Sequence, residues 1–195
     1  MQVHKGAEKL LNEKKILSII REDPWMMEIL QTAKTLDLPD WWICAGFVRS
    51  KIWDTLHGFS KRTPIPDVDV IYFDPSNLNE LKEKQYEELL KSLYPNIPWS
   101  VKNEARMHIR NNSAPYKSAT DAISKFPETA TALGIKLDSY DTLLLTAPCG
   151  ISDVVNMVVK PTPYILEDNE RAAIYEKRIS QKNWKATWEK IEIHH

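Results

Sequence analysis

The sequence predicts an α/β (α+β) fold, in which a small mixed β-sheet is flanked by N-terminal and C-terminal helices. Two short, nearly continuous apolar runs, WWICAG and VDVIYF, are typical of buried strands. They alternate with segments whose apolar residues recur every three or four positions, which is the spacing of amphipathic helices. The chain has 195 residues, of which 43% are hydrophobic and 27% charged, as expected for one globular domain.

The first half of the chain predicts helices on both sides of the two strands. Helical spacing covers residues 5–21 and 25–36, and Asp23-Pro24 separates them because proline suits the first turn of a helix. The elements that follow are the strand WWICAG, a helix over residues 48–57, the breaker-rich loop GFSKRTPIP and the strand VDVIYF.

The second half predicts further helices and strands. They are an amphipathic helix over 79–93, a strand over 99–106, a short helix over 118–125, the strand TLLLTAP, the apolar stretch ISDVVNMVVKP and a helix over 167–190. We therefore expect a single domain, 1–195, with N-terminal helices (1–38), a core that carries the functional residues (39–110), and C-terminal strands and a helix (111–195).

Composition restricts the compartment and the partners. The two cysteines, Cys44 and Cys149, allow one disulfide, but their apolar or Pro/Gly surroundings favour buried thiols in a reducing compartment. No run of 18 apolar residues and no signal-peptide pattern occurs, so we expect a cytoplasmic protein without a membrane segment. A net charge of −1 argues against a large nucleic-acid footprint, which usually requires a basic excess.

Two aspartates at the start of the second strand are the strongest candidates for a functional site. Asp67 and Asp69 are two residues apart, so on a strand their carboxylates point to one face, about 7 Å apart along the chain. Such carboxylates repel each other unless a cation lies between them, and hard oxygen ligands favour Mg²⁺ or Mn²⁺. The alternative is a strand entry that carries two solvated acids.

The turn that follows the first strand is a candidate phosphate site. Gly46 lies between the strand and the next helix, where a missing Cβ lets phosphate oxygens approach the backbone. A plain strand-to-helix turn is the alternative. Arg49, in the first turn of that helix, could bind a phosphate or could pair with an acid such as Asp54.

The segments AGFVRSKIWD, PDVDVIYFD, VKNEARMH and GISDVVNMVVKP resemble the nucleotidyltransferase superfamily that includes DNA polymerase β and the CCA-adding enzymes. The resemblance extends from about residue 20 to residue 190, and it is strongest to a group of small bacterial nucleotidyltransferase family proteins. It implies a sheet of the nucleotidyltransferase type, metal binding by Asp67 and Asp69, and nucleotide binding at Ala45, Gly46 and Arg49.

The resemblance also implies an activity. An NMP group would move from an NTP to an unknown hydroxyl acceptor with release of pyrophosphate, assisted by Mg²⁺ or Mn²⁺. The near-neutral charge favours a small acceptor. The sequence departs from the superfamily at two places. The turn reads Ala45-Gly46-Phe47 where Gly-Gly or Gly-Ser is usual, so it lacks a serine hydroxyl that could bind a phosphate, and Ser50 stands where CCA-adding enzymes have aspartate. These departures leave open an alternative, a nucleotide-binding or regulatory module that has lost turnover.

A third acid normally completes such a metal site. Glu104 is the first candidate, because the predicted strand over 99–106 would adjoin the strand of the two aspartates, and Asp153 is the second. On that strand Glu104, Arg106 and His108 would share one face. Arg106 could then bind the triphosphate, or it could form an ion pair with Glu104.

The tryptophans have a structural interpretation. Trp53 lies on the apolar face of its helix, and Trp184 and Trp188 form a stripe at i, i+4 that would pack the C-terminal helix against the rest of the domain.

Overall fold

The computed structural model describes residues 11–195. The first part of the helix expected over 5–21 lies outside these residues. The N-terminal half consists of α1 (Glu13–Arg21), α2 (Pro24–Lys34), β1 (Trp42–Cys44), α3 (Gly46–His57), β2 (Val68–Tyr72), α4 (Glu80–Leu93) and β3 (Trp99–Asn103).

Shorter elements make up the second half. They are α5 (Glu104–Arg110), α6 (Ala119–Ile123), β4 (Gly134–Leu137), β5 (Leu143–Thr146), α7 (Ser152–Val155), β6 (Val158–Val159), α8 (Pro163–Leu166), α9 (Asn169–Gln181), α10 (Trp184–Thr187) and β7 (Glu192–Ile193).

The main sheet has five strands in the order β3-β2-β1-β4-β5. β2 and β3 are parallel and are joined by the crossover helix α4, whereas the other neighbouring strands are antiparallel. The expected mixed sheet with helices is therefore confirmed. β1 lies at its centre and pairs Cys44 with Asp69 of β2, so the end of β1 and the start of β2 meet at one edge of the sheet.

The N-terminal helices pack their apolar faces on this sheet. Ile16, Ile20, Ile29 and Leu30 have no exposed surface and belong to the main core. Asp23 caps α2 by accepting a hydrogen bond from the backbone of Met26, and Pro24 occupies the first turn as expected. Within residues 11–195, no helix is long and apolar enough to cross a membrane.

Strand β4 was not predicted from the sequence, because GIKL is too short to show a clear period. Gly134 explains how it fits against β1. A Cβ at this position would lie 2.9 Å from Cys44 Sγ and 3.2 Å from Trp42 Cβ, so only glycine lets the two strands pack this closely.

The prediction of a strand over 99–106 was wrong beyond residue 103. The Asn103 side chain accepts a hydrogen bond from the backbone N–H of Ala105, which is a helix cap, and the chain continues as α5. Glu104 and Arg106 therefore lie on a helix and do not share one face of a strand, contrary to the prediction. The single helix expected over 167–190 was also wrong, since the chain breaks at residues 182–183 between α9 and α10.

Candidate active site

A cleft of about 360 Å³ opens where the end of β1 meets the start of β2. Ala45, Gly46, Arg49, Asp67 and Asp69, which the sequence singled out, all line this cleft. The rest of the lining includes Thr131, Arg178, Lys182, Trp184, Thr187 and Trp188, none of which was predicted to belong to a functional site. Their distance along the chain from the aspartates explains why no local pattern identified them.

The turn between β1 and α3 presents the N-terminus of a 12-residue helix to the cleft. No side chain caps this end, so its first N–H groups and the positive end of the helix dipole can face an anion. Gly46 is the first helical residue. A Cβ built on Gly46 would lie 3.8 Å from Arg49 Nη2, so the space above the glycine adjoins the guanidinium group.

Ala45 has the backbone angles φ 53° and ψ −116°, a conformation that favours glycine. We expect Ala45→Gly to raise the free energy of unfolding by about 1 kcal/mol, because relief of about 1–3 kcal/mol of strain exceeds the gain in unfolded-chain entropy. Urea denaturation measures this change. Ala173→Gly, at an exposed position within α9, is the matched control and should lower stability by about 1 kcal/mol. A destabilised Ala45→Gly variant would show that the turn is not strained.

Asp67 and Asp69 form the acidic side of the cleft. Neither aspartate lies within 4 Å of a basic group among residues 11–195. Burial, followed by the nearby charge of Asp67, raises the pKa of Asp69 to about 6. The two carboxylates therefore repel each other without a cation between them, and their oxygen donors suit Mg²⁺ or Mn²⁺.

Glu104 does not join this pair in a closed ligand set. Its side chain is 6% exposed at the start of α5, and it does not line the cleft. Burial raises its pKa to about 8, with further contributions from Asp69 and Glu83. In the described part of the chain, no three His, Cys, Asp or Glu side chains are close enough together to hold a metal ion. Glu104 thus lies within electrostatic range of Asp69 but outside a shared coordination sphere.

The other two predicted site residues lie elsewhere. Asp153, in the first turn of α7, forms an ion pair with Lys160 at 3.1 Å and lines a different cavity. Arg106 donates two hydrogen bonds to Glu83 of α4, at 3.1 Å and 2.8 Å. Its partner is therefore neither Glu104 nor a group in the cleft, because a helix turns its side chain toward α4.

Arg49 is buried inside the wall of the cleft, with 6% of its surface exposed. Its guanidinium carbon lies 4.6 Å from the ring centre of Trp184, 5.0 Å from Trp53 and 5.3 Å from Trp188. We call these three side chains the tryptophan cage. The faces of aromatic rings attract a cation and replace part of its lost hydration. Burial lowers the pKa of Arg49 only to about 10, so the side chain stays protonated at neutral pH.

One donor of this arginine is unused. Nη2 donates to Ser50 Oγ at 3.2 Å, but Nε is buried without a hydrogen-bond partner among the described residues. Asp54, the alternative partner, instead accepts hydrogen bonds from Thr63 and from Trp188 Nε1. A buried, unpaired donor is costly in a folded protein. The guanidinium group has no carboxylate partner among the described residues, and its place in the lining of the cleft would let a bound anion balance its charge.

The cage confirms that Trp184 and Trp188 pack the C-terminal segment against the rest of the domain, and it adds a contact with a cation. Trp53 packs edge-to-face against Trp188 at 5.1 Å and against Trp184 at 5.9 Å, which fixes the C-terminal segment to α3 as expected. No pattern in the sequence indicated that these rings surround a cation. The only local signal was the pair of tryptophans at i, i+4.

A second arginine lies across the cleft. Arg178 of α9 donates to the fully buried carboxylate of Glu128, which also accepts a hydrogen bond from Thr131 at 2.7 Å. This ion pair holds the arginine at the cleft wall, beside Lys182. The cleft thus combines two unpaired carboxylates with three basic side chains and an open helix N-terminus, a set of groups that suits a metal-bound polyphosphate.

Solved structures share this architecture. An NMR structure described as revealing a CCA-adding enzyme head domain is 37% identical, with a TM-score of 0.83 over 94% of this chain and 96% of that one. A CCA-adding enzyme in complex with ATP is 16% identical, with a TM-score of 0.54 over 91% of this chain and 42% of that one.

The CCA-adding enzyme of Thermotoga maritima, complexed with tRNA, is 17% identical, with a TM-score of 0.50 over 93% of this chain and 42% of that one. The chain spans less than half the length of these last two enzymes, and their likeness shows the fold alone. No curated protein matches the chain. A family model described as nucleotidyltransferase matches residues 31–193, from α2 to the last strand. The protein therefore belongs to the nucleotidyltransferase family.

Proposed function

We propose that this protein transfers an NMP group from an NTP to a hydroxyl acceptor and releases pyrophosphate, with Mg²⁺ or Mn²⁺ as cofactor. One observation carries this proposal: the caged, unpaired Arg49 and the unpaired carboxylates of Asp67 and Asp69 line the same cleft. A triphosphate with its metal ion would complement both sets of groups. Glu104, Arg106 and Asp153 receive no role in this proposal, because none of them lines the cleft.

The basic side of the cleft would bind the phosphates. The uncapped N-terminus of α3 at Gly46 offers backbone N–H groups, and the guanidinium group of Arg49, held by the cage, lines the same cleft beside Gly46. Arg178 and Lys182 add positive charge from the C-terminal part of the lining. Rigid donors of this kind stabilise charge that develops on phosphate oxygens, because they need no reorganisation during the reaction.

Asp67 and Asp69 would hold the metal ion. When bound, a divalent cation supplies charge neutralisation for the triphosphate and lowers the pKa of the attacking hydroxyl. The acceptor proposed is a small molecule, since the net charge of −1 offers little attraction for an extended nucleic acid. The Thermotoga maritima enzyme that is complexed with tRNA is more than twice as long as this chain.

The test is pyrophosphate release from each of the four NTPs with Mg²⁺, with and without a cell extract as the source of acceptor. We expect Asp69→Asn to reduce release at least 100-fold, because the variant loses a metal-binding carboxylate. Asp141→Asn, which removes an exposed acid that pairs with Lys34, is the matched control and should keep full activity. Release by Asp69→Asn at the wild-type rate would contradict the proposal.

A nucleotide-binding module without turnover is the second candidate. The observation that favours it is the lack, within residues 11–195, of a third acid close enough to share a metal ion with Asp67 and Asp69. Isothermal titration with each NTP distinguishes the two candidates. NTP binding that depends on Arg49, together with no pyrophosphate release in any extract, would support the binding module over the enzyme.

A further inference from the structure

A second cavity of about 480 Å³ lies among α5, α6, α8 and α9, and it shares no lining residue with the active-site cleft. Its volume is in the range of small-molecule sites. Met107, Ala122, Phe126 and Ile165 give it a mostly apolar interior. Ile174 of α9 also lines it and is 61% exposed, so an apolar side chain stands in solvent there.

Basic and aromatic side chains share the lining of this cavity. Arg171 stacks on Tyr164 with 3.8 Å between the guanidinium carbon and the ring centre. Lys125 Nζ lies 5.1 Å from the ring centre of Tyr116. The third basic residue, Arg110, is exposed and has no ion-pair partner among the described residues, whereas Lys125 pairs with Asp121 and Arg171 with Glu167. Glu104 is the one acid in the lining, so the cavity wall carries a positive excess.

The position of Glu104 shows how far this cavity lies from the cleft. The residue before it, Asn103, pairs with Tyr72 on β2, three positions beyond Asp69. Three residues along a strand are about 10 Å. The backbone of Glu104, one residue further along the chain, is therefore more than about 10 Å from that of Asp69, and an acceptor bound in the second cavity would have to extend past Glu104 to reach the proposed metal site.

We propose that this second cavity binds the acceptor, an inference that rests on the proposed function. The acceptor is then a small molecule with an anionic group and an aromatic or apolar body. The apolar interior would bury the body of the molecule, and the tyrosine rings would contact its flat face. The basic side chains would pair with the anion, with Arg110 free to do so without breaking an existing ion pair.

Fragment binding in the absence of NTP and metal tests this proposal. The probes are phenyl phosphate, phenylacetate, benzyl alcohol and inorganic phosphate, titrated into isotope-labelled protein and followed by NMR. We expect both aromatic anions to shift the methyl signals of Met107 and Ile174 but not that of Thr187 in the cleft. Benzyl alcohol and inorganic phosphate should bind at least fivefold more weakly, because benzyl alcohol lacks the anionic group and inorganic phosphate lacks the aromatic ring.

Variants at exposed positions locate the site without disturbing the fold. Arg110→Glu should raise the Kd for phenyl phosphate at least fivefold, and Ile174→Glu should do the same. Lys82→Glu, a charge reversal at an exposed position of α4, is the matched control and should leave the Kd unchanged. Equal effects of Arg110→Glu and Lys82→Glu, or shifts only at Thr187, would overturn the proposal.

The outcome is independent of the proposed transferase activity. Anion binding at Met107 and Ile174 without pyrophosphate release would retain the second cavity as a ligand site and reject the enzyme. Pyrophosphate release that responds to Asp69→Asn but not to Arg110→Glu or Ile174→Glu would retain the enzyme and reject this cavity as the acceptor site.

Discussion

We expect Arg49→Met to raise the Kd for NTP at least tenfold and to leave the protein folded. The variant loses the buried cation that faces the cleft, and charge-assisted hydrogen bonds to phosphate are among the stronger polar interactions in proteins. Methionine can fill the tryptophan cage, because its thioether packs well against aromatic rings. The free energy of unfolding should stay the same or rise, since a buried cation with an unpaired Nε is removed. Isothermal titration and urea denaturation measure the two effects.

Two further variants sharpen this test. Arg49→Lys keeps the charge but loses the planar group that stacks in the cage, so it should bind NTP more weakly than wild type. Arg62→Met is the matched control, because Arg62 also stacks on a tryptophan, at 3.7 Å from the ring centre of Trp25, but pairs with Asp23 outside the cleft. It should lose stability and keep its NTP affinity. Wild-type affinity in Arg49→Met would assign Arg49 a purely structural role.

Between pH 4.5 and about 8 the metal-free protein should lose stability as the pH rises, and Glu104→Gln should remove a large part of that loss. Burial raises the pKa of Glu104 from its ordinary 4.5 to about 8, so between these values the folded state holds a proton that the unfolded state has released. The stability that this proton provides is complete below pH 4.5 and is lost as the pH rises to about 8. Glutamine stays neutral, so at pH 8 the variant should be more stable by a few kcal/mol, about 1.4 kcal/mol for each unit of pKa shift.

Urea denaturation from pH 4 to pH 9, without metal ions, measures this difference. Asp69 adds a smaller loss over a lower window, from its ordinary pKa of 3.8 to about 6, and Glu104→Gln leaves that part unchanged. Glu88→Gln, at a side chain that is 73% exposed on α4, is the control and should follow the wild-type profile. Parallel profiles for wild type and Glu104→Gln would show that the Glu104 carboxylate is ionised and solvated at pH 8.

The acidic half of the cleft could be predicted from the sequence because it is local. Asp67 lies just before β2 and Asp69 within it, so two neighbouring positions bring both carboxylates to the cleft, and Gly46 follows the preceding strand after one residue. Glu104 was placed wrongly because Asn103 ends the strand through a side-chain cap, and the same asparagine is compatible with a longer strand when only the pattern is known.

The basic half could not be predicted, since it depends on packing between distant parts of the chain. Arg178 lies on α9 and Lys182 at its C-terminal cap, more than 100 residues after the two aspartates, and the pattern of this helix is that of an ordinary charged surface. The position of Arg49 depends on the same long-range packing. Its spacing after Gly46 was visible in the sequence, whereas its burial depends on two rings from the C-terminus.

The tryptophan cage has a consequence for how relatives of this protein can diverge. Trp188 of the cage donates to Asp54, and Asp54 in turn holds Thr63, which lies in the loop before the aspartates. A change at position 49 leaves three aromatic rings without their cation, and a change in any ring uncovers the cation. These residues should therefore be inherited or replaced together, and an alignment of relatives should show position 49 co-varying with positions 53, 184 and 188.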